Sequence, residues 1–355
     1  MSYRILVINP GSTSTKISIF DDEKEFVRVT LRHSEGDLCR FATIADQHEY
    51  REKFVLKFLE DNKIDLDSID AVVGRGGVLR PMPGGTYVVS KAMYDYLKAP
   101  KQEHASNLGA LIAKPIADRI DVPAFIVDPV VVDELEPEAR VAGHPNFERI
   151  SIFHALNQKA VARSVSDKLG KKYEDCNFVV AHLGGGISIG AHRKGKIIDV
   201  NNALDGDGPF SAERSGGLPT GQLVEICFSG KYTKQDVKKM LKGQGGVVAY
   251  LGTNDMMEVE KRIDNKDEKA LAVFNAMCYQ VSKDIGACAA VLNGDVDRVI
   301  ITGGVANDKR LVEYVQNKVS FIAPVEVIPG EEEMKALAYG ALRVLNKEEK
   351  AKEYN

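Results

Sequence analysis

The chain starts the same way twice, and that repetition limits what it can fold into. Residues Arg4 to Phe20 read as an apolar strand (Ile5, Leu6, Val7, Ile8), a small polar turn from Asn9 to Ser14, and a return strand with Ile17 and Ile19 in alternation. The plan recurs from Asn177 to Asp199. Phe178 to Ala181 is the apolar strand, His182-Leu183-Gly184-Gly185-Gly186 the turn, and Ile187 to Ala191 the return; Lys196 to Val200 is a third strand after a turn at Arg193 to Gly195. So long a period is no solenoid signature. It points to duplication of one α/β domain, each copy presenting a polar hairpin turn to a shared cleft. Two unrelated hairpins are the alternative.

At 355 residues the chain exceeds the usual single core of about 100 to 200 residues. Between the hairpins, helix signals (Glu49 to Asn62, Ser90 to Ala99, Asn107 to Ile120) alternate with strand signals (Ala71 to Gly74, Ala124 to Val127), the rhythm of a layered α/β domain. Glu136 to Glu148, with Pro137, Gly143 and Pro145, reads as a connection. The expected domains are therefore 1–145 and 146–334. A last helix from about residue 335 packs back on the first domain, and Lys347 to Lys352 trail as a solvated tail. After the second hairpin come helices at Thr220 to Phe228, Thr233 to Leu241, Met256 to Ile263 and Glu268 to Leu292, then a strand at Arg298 to Thr302.

A net charge of -4 argues against a general electrostatic grip on nucleic acid or on an anionic membrane, so any bound anion is held locally. Five scattered cysteines, Cys39, Cys176, Cys227, Cys278 and Cys288, form no CxxC pair and read as reduced core thiols. No apolar run approaches the ~20 residues that span a bilayer, and the expected location is the cytoplasm.

Three turns could carry chemistry, each at a strand end. Asn9-Pro10-Gly11-Ser12-Thr13-Ser14-Thr15-Lys16 lacks Walker A spacing but offers backbone N–H groups, hydroxyls and one ammonium to phosphate oxygens, with the Asn9 carbonyl for Mg²⁺ or its water. His182 to Gly186 lets the backbone approach a ligand closely. Thr302-Gly303-Gly304-Val305-Ala306-Asn307 precedes a helix beginning near Lys309, a placement suited to a nucleotide. Any one of them alone reads equally as an ordinary turn with local caps.

In this order the motifs resemble those of the acetokinase family. The first turn resembles its first phosphate motif; Phe153-His154 and His182-Leu183-Gly184-Gly185-Gly186 resemble its two histidine motifs. Arg214-Ser215-Gly216 resembles its arginine motif, Gly303 to Asn307 its adenosine motif, and Asn254 to Val259 a segment near the nucleotide. The resemblance runs from residue 5 to about residue 345. It departs from acetate kinases at Gly74-Arg75-Gly76-Gly77-Val78-Leu79-Arg80-Pro81, at Asp205 to Ser211 and at Met257; the first two segments resemble the butyrate-directed branch.

The resemblance implies two duplicated actin-like ATPase (ribonuclease H-like) domains with a cleft between them, and at least a dimer. It implies a reversible reaction in which a short-chain fatty acid and ATP give an acyl phosphate and ADP, with Mg²⁺. Butanoate is the expected acceptor, and acetate or a branched-chain acid the alternatives. A nucleotide-switched binding protein of the chaperone or actin type is the reading from another class. A carboxylate is already ionised and needs no strong base; repulsion between anions is the obstacle, so cations and donors supply the catalysis. Arg75 is expected on the substrate carboxylate, Arg214 on the transferring phosphoryl group, His154 as a donor to that group, and Asp128 as an orienting carboxylate. Phosphate and nucleotide contacts fall to Ser12, Ser14, Lys16, His182, Gly184, Gly185, Gly186, Gly303, Gly304 and Asn307. Mg²⁺ falls to Asn9 and to Glu332 or Glu333, between which the register is open; Glu331 to Glu333 could equally cap the last helix. His104 stays open as well. His33, His48, His144 and His192 read as structural, and Arg80, Arg140 and Arg262 stay unassigned.

Overall fold

Four apolar residues in a row, Ile5 to Ile8, suit a strand covered on both faces. In the computed structural model, which describes residues 2–354, they are fully buried in β1 (Arg4–Pro10). β1 pairs antiparallel with β2 (Ser14–Asp21), which pairs antiparallel with β3 (Lys24–Arg32). On its other side β1 runs parallel to β4 (Ala71–Arg75). β5 (Thr86–Val88) and β6 (Ala124–Val127) complete a sheet of order β3-β2-β1-β4-β6-β5, with β6 parallel to β4 and antiparallel to β5.

The second sheet repeats this plan. β7 (Asn177–Leu183), β8 (Ile187–Arg193) and β9 (Lys196–Val200) form antiparallel pairs, and β10 (Arg298–Gly303) and β11 (Val325–Pro329) add in parallel to β7. Its order is β11-β10-β7-β8-β9. With β5 set aside, β3-β2-β1-β4-β6 and β9-β8-β7-β10-β11 are one topology with the same strand directions. The duplication expected from the two hairpins is present, and two unrelated hairpins are excluded.

Two units enclose the sheets, Met1–Val132 with Glu332–Asn355, and Asp133–Glu331. Sequence punctuation put the boundaries at 145/146 and 334/335. The segment after Val132 joins the second unit through local pairing that composition does not reveal: Glu136 N donates to Ile198 O at 3.0 Å, and Lys159 pairs with Glu134 at 2.9 Å with both side chains buried. Each unit has its own core, one around Leu6, Ile17, Val72, Leu111 and Ile126, the other around Val179, Ile189, Phe274, Val281 and Ile301.

Three readings need correcting. Residues 347–352 are no solvated tail: Lys352 N donates to Thr86 O at 2.8 Å, Val88 N donates to Lys352 O at 3.0 Å, and the Glu349 carboxylate accepts from Thr86 N at 2.8 Å. A run of charges thus covers the edge strand β5. Cys39 and Cys227 are exposed, so only Cys176, Cys278 and Cys288 are core thiols; all five are free. β3 and the helix Ala155–Lys168 escaped the sequence reading. From Val27 on, β3 alternates Val27, Val29 and Leu31, only partly buried, with Arg28, Thr30 and Arg32, as a one-faced edge strand does. Among the described residues no helix is long and apolar enough to cross a membrane.

One contact fixes where β4 delivers Arg75. The helix Leu108–Arg119 lies so close to β4 that a Cβ on Gly74 would overlap the Gly109 carbonyl, and a Cβ on Gly109 would overlap the Arg75 backbone. Gly109→Ala is expected to cost about 1 to 3 kcal/mol of stability, in the range of overpacked cores, read by denaturant unfolding. An unchanged midpoint would show that helix and strand separate freely.

Candidate active site

In the first unit, Asn9 lies one residue before the end of β1, β4 ends at Arg75, and the helix Glu333–Leu345 begins at Glu333. These three ends meet. Asn9 Nδ2 donates to Glu333 Oε2 at 2.7 Å, and Arg75 NH1 donates to the same oxygen at 2.8 Å and approaches Asn9 Oδ1 at 3.4 Å. Nε and NH2 of Arg75 carry no protein partner among the described residues, leaving an edge of the fork for an oxyanion. Glu333 alone of the three glutamates makes these contacts. Glu332 is exposed beside Lys335 at 3.6 Å, and Glu331 belongs to the second unit.

The turn between β1 and β2 leaves Ser12, Thr13 and Lys16 exposed, with Ser14 half-buried. A residue that sequence reasoning missed holds it from behind. Arg51 is fully buried and donates to the carbonyls of Gly11 (2.8 Å), Ser12 (2.9 Å) and Ser14 (3.0 Å), to Thr15 Oγ1 (3.2 Å) and to Gln47 Oε1 (2.8 Å). None of these partners is a carboxylate, so a positive charge lies beneath the turn, and burial lowers its pKa to about 10. The available signal was positional: Arg51 stands one helical turn before Val55 and two before Phe58 and Leu59, all on the buried face of His48–Asp61. Arg51→Met would strand several acceptors. We expect a loss of about 3 kcal/mol or more in unfolding free energy, and an unchanged value would mean that the turn holds without it.

His33, read as structural, lies against Thr15 Oγ1 at 2.8 Å and packs edge-on to Tyr50 and Phe54. Burial and the Arg51 charge lower its pKa to about 4 from the ordinary 6.5. A base with a depressed folded pKa stabilises the native state above its unfolded pKa and loses that contribution as pH falls through the folded one. The stability gap between wild type and His33→Gln should therefore narrow from about pH 6.5 to about pH 4. Chemical unfolding across that window checks this; a constant gap would contradict it.

In the second unit the helix Ala155–Lys168 starts after His154, and β7 carries His182. The two imidazoles stack with centroids 3.8 Å apart and planes 10° from parallel. His182 Nδ1 lies 2.8 Å from Asn157 Oδ1. Its buried Nε2 lies 3.0 Å from Glu331 Oε1, an ion pair only when the ring is protonated.

The glycine turn is shaped by its neighbours. A Cβ on Gly186 would strike the Arg214 guanidinium, and Gly185 O accepts from Ser211 Oγ at 2.6 Å. Arg214 NH1 donates to Ala203 O at 2.5 Å, while its buried Nε has no partner. Burial lowers the Arg214 pKa, with Glu213 and Asp205 opposing. Under the turn at Gly303, β10 and Gly330 exchange backbone hydrogen bonds at 3.2 and 2.9 Å. Gly303, at φ +92°, would clash with the Leu183 backbone if it bore a Cβ. Gly304 and Asn307 are exposed, with Asn307 Nδ2 donating to Gly304 O at 2.9 Å. The next helix, Lys309–Val319, has its first amides taken by Asp308, so the turn rather than the helix amides is on offer.

Asp128 follows β6 directly, at φ +36°, a region that non-glycine residues seldom occupy, and its carboxylate accepts from Gly85 N at 2.7 Å. His104 bonds Ser106 Oγ at 2.7 Å and caps the short turn Ala105–Asn107. Met257 is exposed, and Asn254 Nδ2 reaches Glu213 at 3.3 Å. Among the described residues no group of three or more His, Cys, Asp or Glu could hold a metal ion. Asn9 and Glu333 offer hard oxygens of the kind that suit Mg²⁺ arriving with phosphates.

A model of the acetokinase family matches residues 149–350. Butyrate kinase 2 of Clostridium acetobutylicum is 55% identical over 355 residues, covering 100% of both chains. The acetate kinase structure of Porphyromonas gingivalis aligns with a TM-score of 0.79 at 21% identity, covering 97% of this chain and 100% of that one. A propionate kinase from Francisella tularensis subsp. tularensis aligns at 0.75 and 19% identity, covering 95% and 98%. At such identities the structural likeness speaks for the fold: the duplicated α/β architecture is that of acetate kinases.

Proposed function

This chain belongs to the acetokinase family, and from that premise we propose that it is a carboxylate kinase converting butanoate and ATP reversibly to butanoyl phosphate and ADP. A carboxylate oxygen attacks the γ-phosphorus as the bond to the leaving ADP oxygen breaks, so no proton has to move. Anion repulsion is the main obstacle.

The observation that carries this reading is Arg214, a half-buried guanidinium whose buried Nε has no partner, set against a glycine turn that leaves it room. A half-buried cation so incompletely paired suits an incoming oxyanion. We assign Arg214 to the transferring phosphoryl group, with His154 donating to it and His182, Gly184, Gly185 and Gly186 lining the phosphates. Arg75 holds the acceptor carboxylate through the edge that Glu333 leaves open. Ser12, Ser14 and Lys16 contact phosphate, and Gly303, Gly304 and Asn307 the nucleoside. Asp128 acts by holding Gly85 in place rather than as a base.

Mg²⁺ belongs to the same proposal, held by Asn9 and by Glu333 rather than Glu332. When bound it would neutralise charge on the phosphates. Homo-oligomerisation, at least to a dimer, and a cytoplasmic place of action complete the reading. Family membership sets aside the nucleotide-switched binding protein.

One methylene in an apolar pocket is worth about 1 to 3 kcal/mol, so preference among acids should be graded rather than absolute. Trapping acyl phosphate as hydroxamate, with MgATP and acids from acetate to hexanoate, is expected to peak at butanoate or isobutanoate. A peak at acetate would move the substrate assignment; no product from any acid would overturn the kinase reading.

A further inference from the structure

Behind His154 a file of buried polar side chains leads into the second unit. His154 Nδ1 lies 2.9 Å from Ser188 Oγ. Gln158 Nε2 lies 2.8 Å from that hydroxyl and 3.0 Å from Ser188 O, while Gln158 Oε1 lies 3.0 Å from His192 Nε2. His192 Nδ1 in turn lies 2.8 Å from Tyr173 OH. Ser188, Gln158 and His192 are fully buried and Tyr173 nearly so. A Cβ on Gly190 would fall 2.6 Å from Gln158 Oε1, so the glycine in β8 keeps the line open.

The direction of every bond follows from one backbone atom. Ser188 O can only accept, so the Gln158 amide must turn its NH₂ toward Ser188 and its oxygen toward His192. His192 is neutral: burial, with Lys159 and Arg163 adding to it, holds its pKa well below the ordinary value. Its single proton sits on Nε2, facing Gln158 Oε1, and Nδ1 accepts from Tyr173. At the other end Ser188 Oγ accepts from Gln158. Its own proton, buried, has the His154 Nδ1 lone pair as its acceptor.

We propose that Ser188, Gln158 and His192 are positioning residues that fix His154 as the neutral tautomer with its proton on Nε2. This rests on the reading above, in which His154 donates to the phosphoryl group, and it explains how the ring has a proton ready to offer. The stacked His182 ring, held by Asn157, limits rotation of His154 about the same arrangement.

Nitrogen-15 NMR of the histidine-labelled protein distinguishes protonated from bare ring nitrogens directly. In the wild type a bare Nδ1 and a protonated Nε2 are expected for His154. In Ser188→Ala and in Gln158→Met the two tautomers should mix, and kcat should fall about ten- to a hundredfold while KM for MgATP moves little. A proton on Nδ1 in the wild type overturns the proposal, as does an unchanged tautomer in a folded Ser188→Ala. The wild-type spectrum decides even if a variant fails to fold. An Nε2–H tautomer in a protein that makes no acyl phosphate would support this assignment and count against the kinase reading alone.

Discussion

A guanidinium removed from water must be repaid in hydrogen bonds, and both units are arranged around how fully that is done. Arg51 is satisfied by carbonyls, a hydroxyl and an amide, and its role is to shape a turn. Arg75 has one nitrogen held by Glu333 and an edge left open. Arg214 has one carbonyl and a stranded Nε. On the proposed function the series runs from structural cation to functional cation, and the least satisfied member is the one to which an incoming oxyanion would contribute most.

Duplication gave the two units one topology and two different turns. The first turn keeps its hydroxyls and lysine outward because Arg51 takes the carbonyls. The second is stripped to glycine because Arg214 lies where a Cβ on Gly186 would be. His182 is the penultimate residue of β7 as Asn9 is of β1, but it is locked by Asn157 and stacked on His154. The same backbone plan thus presents a carboxylate-linked cluster in one copy and an imidazole pair in the other.

Much of this was legible from the chain. Apolar runs bounded by turns marked β1 and β7, and the order of the turns marked the family. Contacts distant in sequence were not legible. Whether Glu332 or Glu333 faces Asn9 depends on a helix start that pattern leaves ambiguous by one residue. Arg51 escaped the sequence reading because all its partners but Gln47 lie about 40 residues earlier, in and beside the turn. The chain's end looked solvated because its charges cap an edge strand that is itself only Thr86–Val88. Nor could a reading of single residues find the file behind His154, since Gln158, Ser188 and His192 gain their meaning from a shared direction of hydrogen bonding.

The central claim is that two arginines divide the work, one holding the acceptor and the other the group in flight. Initial rates of Arg75→Ala and Arg214→Ala against both substrates, with and without added guanidinium ion, test it most directly. The account expects Arg75→Ala to raise KM for the acid with KM for MgATP little changed. Arg214→Ala should instead lower kcat by about a hundredfold or more, with guanidinium restoring part of the rate. Equal and parallel losses in both parameters for the two variants, without rescue, would contradict it.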